Sequence, residues 1–108
     1  DHINRWTYHE DSSSALTDTE IKPAPAAGLS IYITDISVST GAATALNFFI
    51  EQSTTTKIFG PVYLEAVAGR GFTCSFRTPL KVAAATNSTI TTSAAIAHSI
   101  DIQGFVAP

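Results

Sequence analysis

The chain has 108 residues, of which 44% are hydrophobic, 14% are charged and 9% are aromatic, and its formal net charge is −3. This length corresponds to a single domain. Six Lys and Arg residues in an acidic chain exclude the clustered basic surface that binding to a nucleic-acid backbone requires. No stretch has the length and apolarity of a transmembrane helix. The sequence therefore predicts neither a nucleic-acid partner nor a membrane partner.

Residues 1–28 are polar and acidic, and they predict an extended N-terminal arm. Ala15 to Lys22 has the pattern of a short edge strand in which Leu16 and Ile21 are the largest apolar side chains. Pro23-Ala24-Pro25 favours an extended link to the following residues. The acidic residues of this arm are Asp1, Glu10, Asp11, Asp18 and Glu20, and its basic residues are Arg5 and Lys22. The difference of three charges accounts for the whole net charge of the chain.

Residues 29–108 carry short alternating patterns that predict a small antiparallel β-sandwich. The apolar parity changes between Ile33 and Ile36, so we expect a bulge near Thr34-Asp35. The clearest strand places Phe72, Cys74 and Phe76 on one face. Turn signals separate the other runs, and no segment has a helical period over three turns. Seven or eight strands in two sheets is the natural count, and the fold class is all-β.

Candidate chemistry is sparse. The histidines are His2, His9 and His98, and Cys74 has the inward parity of a small core residue rather than of a nucleophile. The sequence His9-Glu10-Asp11 is a local cluster of ligand types without a partner motif. We therefore expect no catalytic residue, no metal, no cofactor and no enzyme activity.

Two further polar features have alternative interpretations. His98 shares a strand face with isoleucines, so it is either a core-edge residue with one hydrogen bond or a histidine that titrates at a subunit contact. Glu51 and Glu65 are expected to be solvated surface groups. The single cysteine allows no intrachain disulfide, which favours folding in an intracellular compartment.

The arm carries the predicted partner-binding residues. Arg5, Trp6 and Tyr8 are of the types that dominate protein interfaces, while Leu16 and Ile21 would accompany strand addition at a sheet edge. The alternative is that Trp6 and Tyr8 fold back onto the sandwich. A small, alanine-rich core with few charges also favours an oligomer or an assembly component.

The chain resembles small structural proteins encoded by tailed bacteriophages, over nearly its full length. The resemblance is carried by Trp6-Thr7-Tyr8, by residues 21–29, by residues 32–39, by residues 71–80 and by residues 100–106. It implies a jelly-roll-like cement or decoration protein that binds the outside of a capsid as a homodimer or homotrimer and clamps subunits of the major capsid protein. The expected location is the outer surface of the virion, after folding in the host cytoplasm.

Two other functions remain open at this point. The first is a head-fibre or tail-tip β-module that binds a receptor or a glycan. The second, which the sequence favours least, is a small β-sandwich enzyme or lectin. Homodimer and homotrimer both remain open, with the arm either kept within its own subunit or swapped between subunits.

Overall fold

The computed structural model describes residues 4–108, so Asp1 and His2 lie outside the described part of the chain. It contains eight strands. In chain order these are β1 (Asn4–Ser12), β2 (Thr19–Lys22), β3 (Ser30–Thr40), β4 (Leu46–Gln52), β5 (Thr56–Leu64), β6 (Gly71–Lys81), β7 (Ser88–Thr92) and β8 (His98–Ala107). The described residues include no helix, and the predicted all-β class is confirmed; six of the strands lie within residues 29–108, and two lie within residues 4–22, where β2 is the edge strand expected within Ala15 to Lys22.

The strands form two four-stranded sheets that pack into a sandwich. Sheet A has the order β1-β8-β3-β6 and sheet B the order β2-β7-β4-β5. All pairings are antiparallel, and each sheet is completed by strands that are distant in sequence. Residues 65–70, between β5 and β6, pass from one sheet to the other, so this connection is not the hairpin that its glycines suggest.

The core lies between the sheets and is built from alternating side chains. Ile100 and Ile102 of β8 in sheet A, and Phe48 and Ile50 of β4 in sheet B, are all fully buried in this core. The predicted bulge is present, because the register of β3 with both of its neighbours shifts between Ile33 and Asp35. The shift keeps the apolar residues on both sides of it directed into the core.

The N-terminal segment differs from the expected extended arm. Residues 4–12 form β1 and pair with β8 over the whole length of β1, and residues 19–22 form β2 at the edge of sheet B. The prediction of residues 1–28 as an arm separate from a 29–108 domain is therefore wrong for residues 4–22. The backbone groups of β1 are satisfied by β8, and three of the segment's side chains enter the core.

The topology gives the sandwich two unlike lateral sides. Strands β1 and β2 are the free edges of the two sheets on one side, and β6 and β5 are the free edges on the other. On the second side Phe59 of β5 meets Phe76 of β6 with ring centroids 5.3 Å apart and nearly perpendicular planes. We refer to these as the β1–β2 side and the β5–β6 side.

Candidate interaction surfaces

Three of the five predicted partner-binding residues lie inside this chain's own core. Trp6, Leu16 and Ile21 are 8%, 7% and 6% exposed. Leu16 is fixed by two hydrogen bonds: its amide donates to Thr92 Oγ1 at 2.8 Å, and its carbonyl accepts from the Thr92 amide at 2.9 Å. These three side chains are buried in the chain's own core, and for Trp6 this is the fold-back alternative.

Of the other two predicted residues, Arg5 is exposed on the outer face of sheet A, and Tyr8 shares the inward parity of Trp6 and packs, half-buried, against the core. The Tyr8 hydroxyl donates to Glu10 Oε1 at 3.3 Å, and burial, followed by the negative charge and hydrogen bond of Glu10, raises the pKa of Tyr8 to about 12. Arg5 is exposed and lies opposite Phe105 in the β1–β8 register. Arg5 and Tyr8 therefore remain candidates for contact with a partner.

Arg5 belongs to a cross-strand row on the outer face of sheet A. Phe105 pairs with Tyr32, and their rings stack with centroids 4.8 Å apart. Lys81 lies opposite Tyr32 on the next strand, with its Nζ 5.8 Å from the ring centroid. The row thus places two stacked aromatic rings between two cations. No sequence signal linked these four residues, because they come from four strands.

The β1–β2 side is acidic. Asp11 on β1, Asp18 before β2 and Glu20 on β2 are exposed, and Glu10 is half-buried. The basic residues of these two strands are Arg5, His9 and Lys22, and His9 Nδ1 lies 2.7 Å from Asp101 Oδ1. The hydrogen bond to Asp101 and the charge of that carboxylate raise the pKa of His9. Residues 4–22 therefore bury their large apolar side chains and leave most of their carboxylates in solvent.

The burial of Glu51 differs from the prediction. It was expected to be solvated, but it is only 6% exposed on the outer face of sheet B. Its Oε1 accepts hydrogen bonds from Thr91 Oγ1 at 3.0 Å and Thr89 Oγ1 at 3.3 Å. Burial, and then the hydrogen bond with the nearby Asp18 carboxyl, raise the pKa of Glu51. Glu65, in contrast, is exposed as expected and forms an ion pair with Arg70 at 2.8 Å.

His98 is a buried residue at the end of the core. It is 3% exposed, and its Nδ1 lies 2.9 Å from the carbonyl oxygen of Ile96. Because a carbonyl oxygen only accepts, Nδ1 carries the proton, and Nε2 is left buried without a partner. This is the geometry of a core-edge histidine with one hydrogen bond. The Ser12 hydroxyl, opposite His98 in the register, is likewise buried and unpartnered.

The β5–β6 side carries incompletely covered apolar groups. Phe72 and Phe76 of β6 and Ile58 and Phe59 of β5 pack against the core but remain partly exposed. Cys74 lies between the two phenylalanines and is also only half-buried. Tyr63, near the end of β5, is 75% exposed. This side therefore offers apolar area that a second protein surface can cover.

The described residues supply little for small-molecule chemistry. Within residues 4–108 no group of three or more His, Cys, Asp or Glu side chains is arranged to hold a metal ion. The same residues include no helix long and apolar enough to cross a membrane. An open cleft of about 360 Å³ lies at the Pro-rich link, where Lys22 and Asn4 are the polar side chains among apolar ones such as Leu29 and Val106.

No protein-family model and no curated protein matches the sequence. Solved structures do resemble the fold. The nucleoplasmin-like N-terminal domain of Drosophila FKBP39 superposes with a TM-score of 0.53 at 10% identity, covering 98% of this chain and 90% of that domain.

Two weaker likenesses complete the comparison. The C-terminal domain of EclA, a sugar-binding protein, has a TM-score of 0.46 at 12% identity over 94% of this chain and 76% of that chain. The virus-like particle protein of the Macrobrachium rosenbergii extra small virus has a TM-score of 0.39 at 13% identity over 98% of this chain and 78% of that chain. At these scores neither bears on function. The superposition on the FKBP39 domain shows that this chain and that domain share a fold.

Proposed function

We propose that this protein is a structural component of a virus particle, a cement protein that binds the outer surface of a phage capsid and clamps adjacent major capsid subunits. The sequence resemblance to phage structural proteins first suggests this role. The fold is compatible with it, because the sandwich is complete within one short chain and its exposed sides are free to make contacts.

The observation that carries the proposal is the difference between the two lateral sides of the sandwich. The β1–β2 side exposes carboxylates, including Asp11, Asp18 and Glu20, whereas the β5–β6 side exposes aromatic and aliphatic groups. A protein that clamps a shell needs one surface for the shell and another for its own copies. In our account the acidic side contacts basic groups of the shell, and the apolar side contacts a second copy.

This arrangement replaces the docking arm expected from the sequence. Contact through folded edge strands does not require ordering a disordered segment, so the entropic cost of binding is smaller. Each copy contributes a modest contact, and linkage of copies through the apolar side makes the binding multivalent. A multivalent clamp of this kind resists the outward pressure of packaged DNA better than isolated copies do.

Rebinding to particles tests the acidic contact. Particles purified from the source are stripped of the protein with mild denaturant and then mixed with purified variants at several salt concentrations. The double variant Asp11→Asn with Glu20→Gln removes two negative charges and keeps the side-chain shapes. We expect its affinity to fall about tenfold at low salt, with a smaller salt dependence than the native protein shows.

A charge-matched control separates a specific contact from a general charge effect. Thr44→Lys with Thr55→Lys changes the net charge by the same amount at exposed positions in the turns that precede β4 and β5, outside β1 and β2. This variant is expected to bind like the native protein. Equal loss in both double variants, or no loss in the first, would contradict the role of the acidic side. Binding of only a few copies per particle would instead favour a fibre or tail component.

A further inference from the structure

We propose that two copies of this chain pair through the free edges of β6, antiparallel and centred on Cys74, so that the two A sheets become one continuous eight-stranded sheet. This inference deepens the proposed function and rests on its self-association step. It names the strand, the register and the residue on the two-fold axis.

The first part of the free edge of β6 is unprotected. The strand runs from Gly71 to Lys81 and is hydrogen-bonded on one side only, to β3. Natural edge strands are usually blocked by charges, prolines, bulges or a covering segment. From Gly71 to Ser75 β6 pairs with β3 in regular register and contains neither a charge nor a proline, and the register shift between Ser75 and Leu80, with Arg77 and Pro79, comes only later in the strand. Such an edge is a template for pairing with another strand.

The core-facing side chains of β6 are incompletely buried. Phe72, Cys74 and Phe76 alternate on the core-facing side of the strand, yet each is only partly buried. Phe59 of β5 covers them in part, with ring centroids 6.0 Å from Phe72 and 5.3 Å from Phe76. A strand added beside β6 would extend sheet A and bring further apolar side chains against this row.

A second copy supplies a strand that fits this row. An antiparallel pair centred on Cys74 places Cys74 opposite Cys74 of the second copy and Phe72 opposite Phe76 of the second copy, twice by symmetry. All these residues keep the same face, so the aromatic row continues across the axis. Cross-strand aromatic pairs of this type are favourable.

The charges favour the same register. Arg77 is exposed and makes no ion pair within residues 4–108, and it would lie opposite Gly71 of the second copy. Gly71 follows Arg70, which holds the exposed carboxylate of Glu65 at 2.8 Å. Arg77 would therefore lie near an Arg70–Glu65 ion pair whose two charges already balance. A register centred on Arg77 would instead place the two Arg77 side chains opposite each other, which is unfavourable.

The only cysteine of the chain is the natural probe for this contact. Directly opposed residues of an antiparallel pair have Cβ atoms about 5 Å apart. A short bis-maleimide is therefore expected to crosslink the native protein into a covalent dimer, and analytical ultracentrifugation is expected to show a dimer without crosslinker. Cys74→Lys places two ammonium groups at the axis and is expected to weaken the dimer at least about tenfold. Cys74→Ser is the matched control and is expected to remain dimeric.

The outcomes separate this inference from the proposed function. Circular dichroism and Trp6 fluorescence test whether Cys74→Lys is folded. If it is unfolded, the β6 contact is tested by the crosslinking of the native protein and by the dimerisation of Cys74→Ser. A monomer at all concentrations would overturn both the β6 contact and the self-association step. An oligomer that neither crosslinks through Cys74 nor responds to Cys74→Lys would overturn the β6 contact alone. A crosslinked dimer that fails to bind particles would support the contact and count against the cement role.

Discussion

The indole of Trp6 lies directly on Gly104, the residue opposite it in the β1–β8 pair. A Cβ atom added to Gly104 would stand 2.7 Å from Trp6 Cζ2 and would overlap the carbonyl oxygen of Tyr32. The missing side chain of Gly104 is thus the space that allows Trp6 to enter the core. This contact joins residues almost a whole chain apart and fixes the N-terminal strand to the sandwich.

Replacing Gly104 by alanine is expected to destabilise the protein by about 2–3 kcal/mol, because the new methyl group overlaps both the indole and a backbone carbonyl. Urea unfolding followed by fluorescence of the sole tryptophan measures the change. Gly41→Ala is the control, since the nearest atom to its added Cβ is the Ala97 methyl carbon at 3.3 Å. Equal midpoints for Gly104→Ala and the native protein would show that Trp6 is not packed against Gly104.

Deletion of residues 1–22 is expected to unfold the protein rather than to release an intact sandwich. The deletion removes Trp6, Leu16 and Ile21 from the core, and burial of each such side chain contributes about 1.5–3 kcal/mol. Their sum is comparable to the total stability of a small domain, about 5–15 kcal/mol. Circular dichroism and thermal melting test this. A truncated chain with a native-like cooperative melt would restore the separate-arm organisation predicted from the sequence.

Glu51 is expected to make stability fall as pH rises. Its pKa in the folded protein is raised from the ordinary value of 4.5, so the folded state binds the proton more tightly than the unfolded state does. The stabilisation that comes from this tighter proton binding is fully present below pH 4.5, and it is lost as the pH rises through the raised pKa of Glu51. Glu51→Gln, which cannot ionise, is expected to remove this loss and to be more stable than the native protein at neutral pH.

Urea unfolding across that pH range measures the difference between Glu51→Gln and the native protein. Glu65→Gln is the control, because the Glu65 side chain is 76% exposed and its ion pair with Arg70 lies at the surface. Parallel stability curves for Glu51→Gln and the native protein would contradict the burial of Glu51.

The structure also predicts the tautomer of His98. The uncharged ring is expected to carry its proton on Nδ1, which donates to the Ile96 carbonyl, leaving Nε2 as an unprotonated nitrogen. Nitrogen-15 NMR of the imidazole distinguishes the two tautomers directly. A proton on Nε2 would contradict this hydrogen bond and would require a partner for Nε2.

The strands of residues 29–108 could be predicted because their alternation is strong. Ile31, Ile33, Ile36 and Val38 reveal both the strand and its bulge, since a change of parity in a buried strand needs an extra residue. The N-terminal strand could not be recognised in the same way. The inward-facing row of β1 is mostly polar apart from its aromatic residues, and the partner that makes it a strand is β8, at the other end of the chain.

The candidate surfaces were predicted less well, for a related reason. Tryptophan is a residue type that is common at interfaces, but the burial of Trp6 depends on Gly104. The two residues are far apart in sequence, so no local pattern relates them. Glu51 has the outward parity of a solvated residue, yet Thr89, Thr91 and Asp18 surround it from neighbouring segments. The free edge of β6 follows from strand order alone, and alternation along one strand carries no information about strand order.

The copy number of the protein in native particles tests the cement role most directly. Particles are purified from the source without denaturant, and quantitative mass spectrometry compares this chain with the major capsid protein. We expect a fixed stoichiometry of hundreds of copies per particle, released by mild denaturant before the shell dissociates. Absence of the chain from purified particles would contradict the cement role.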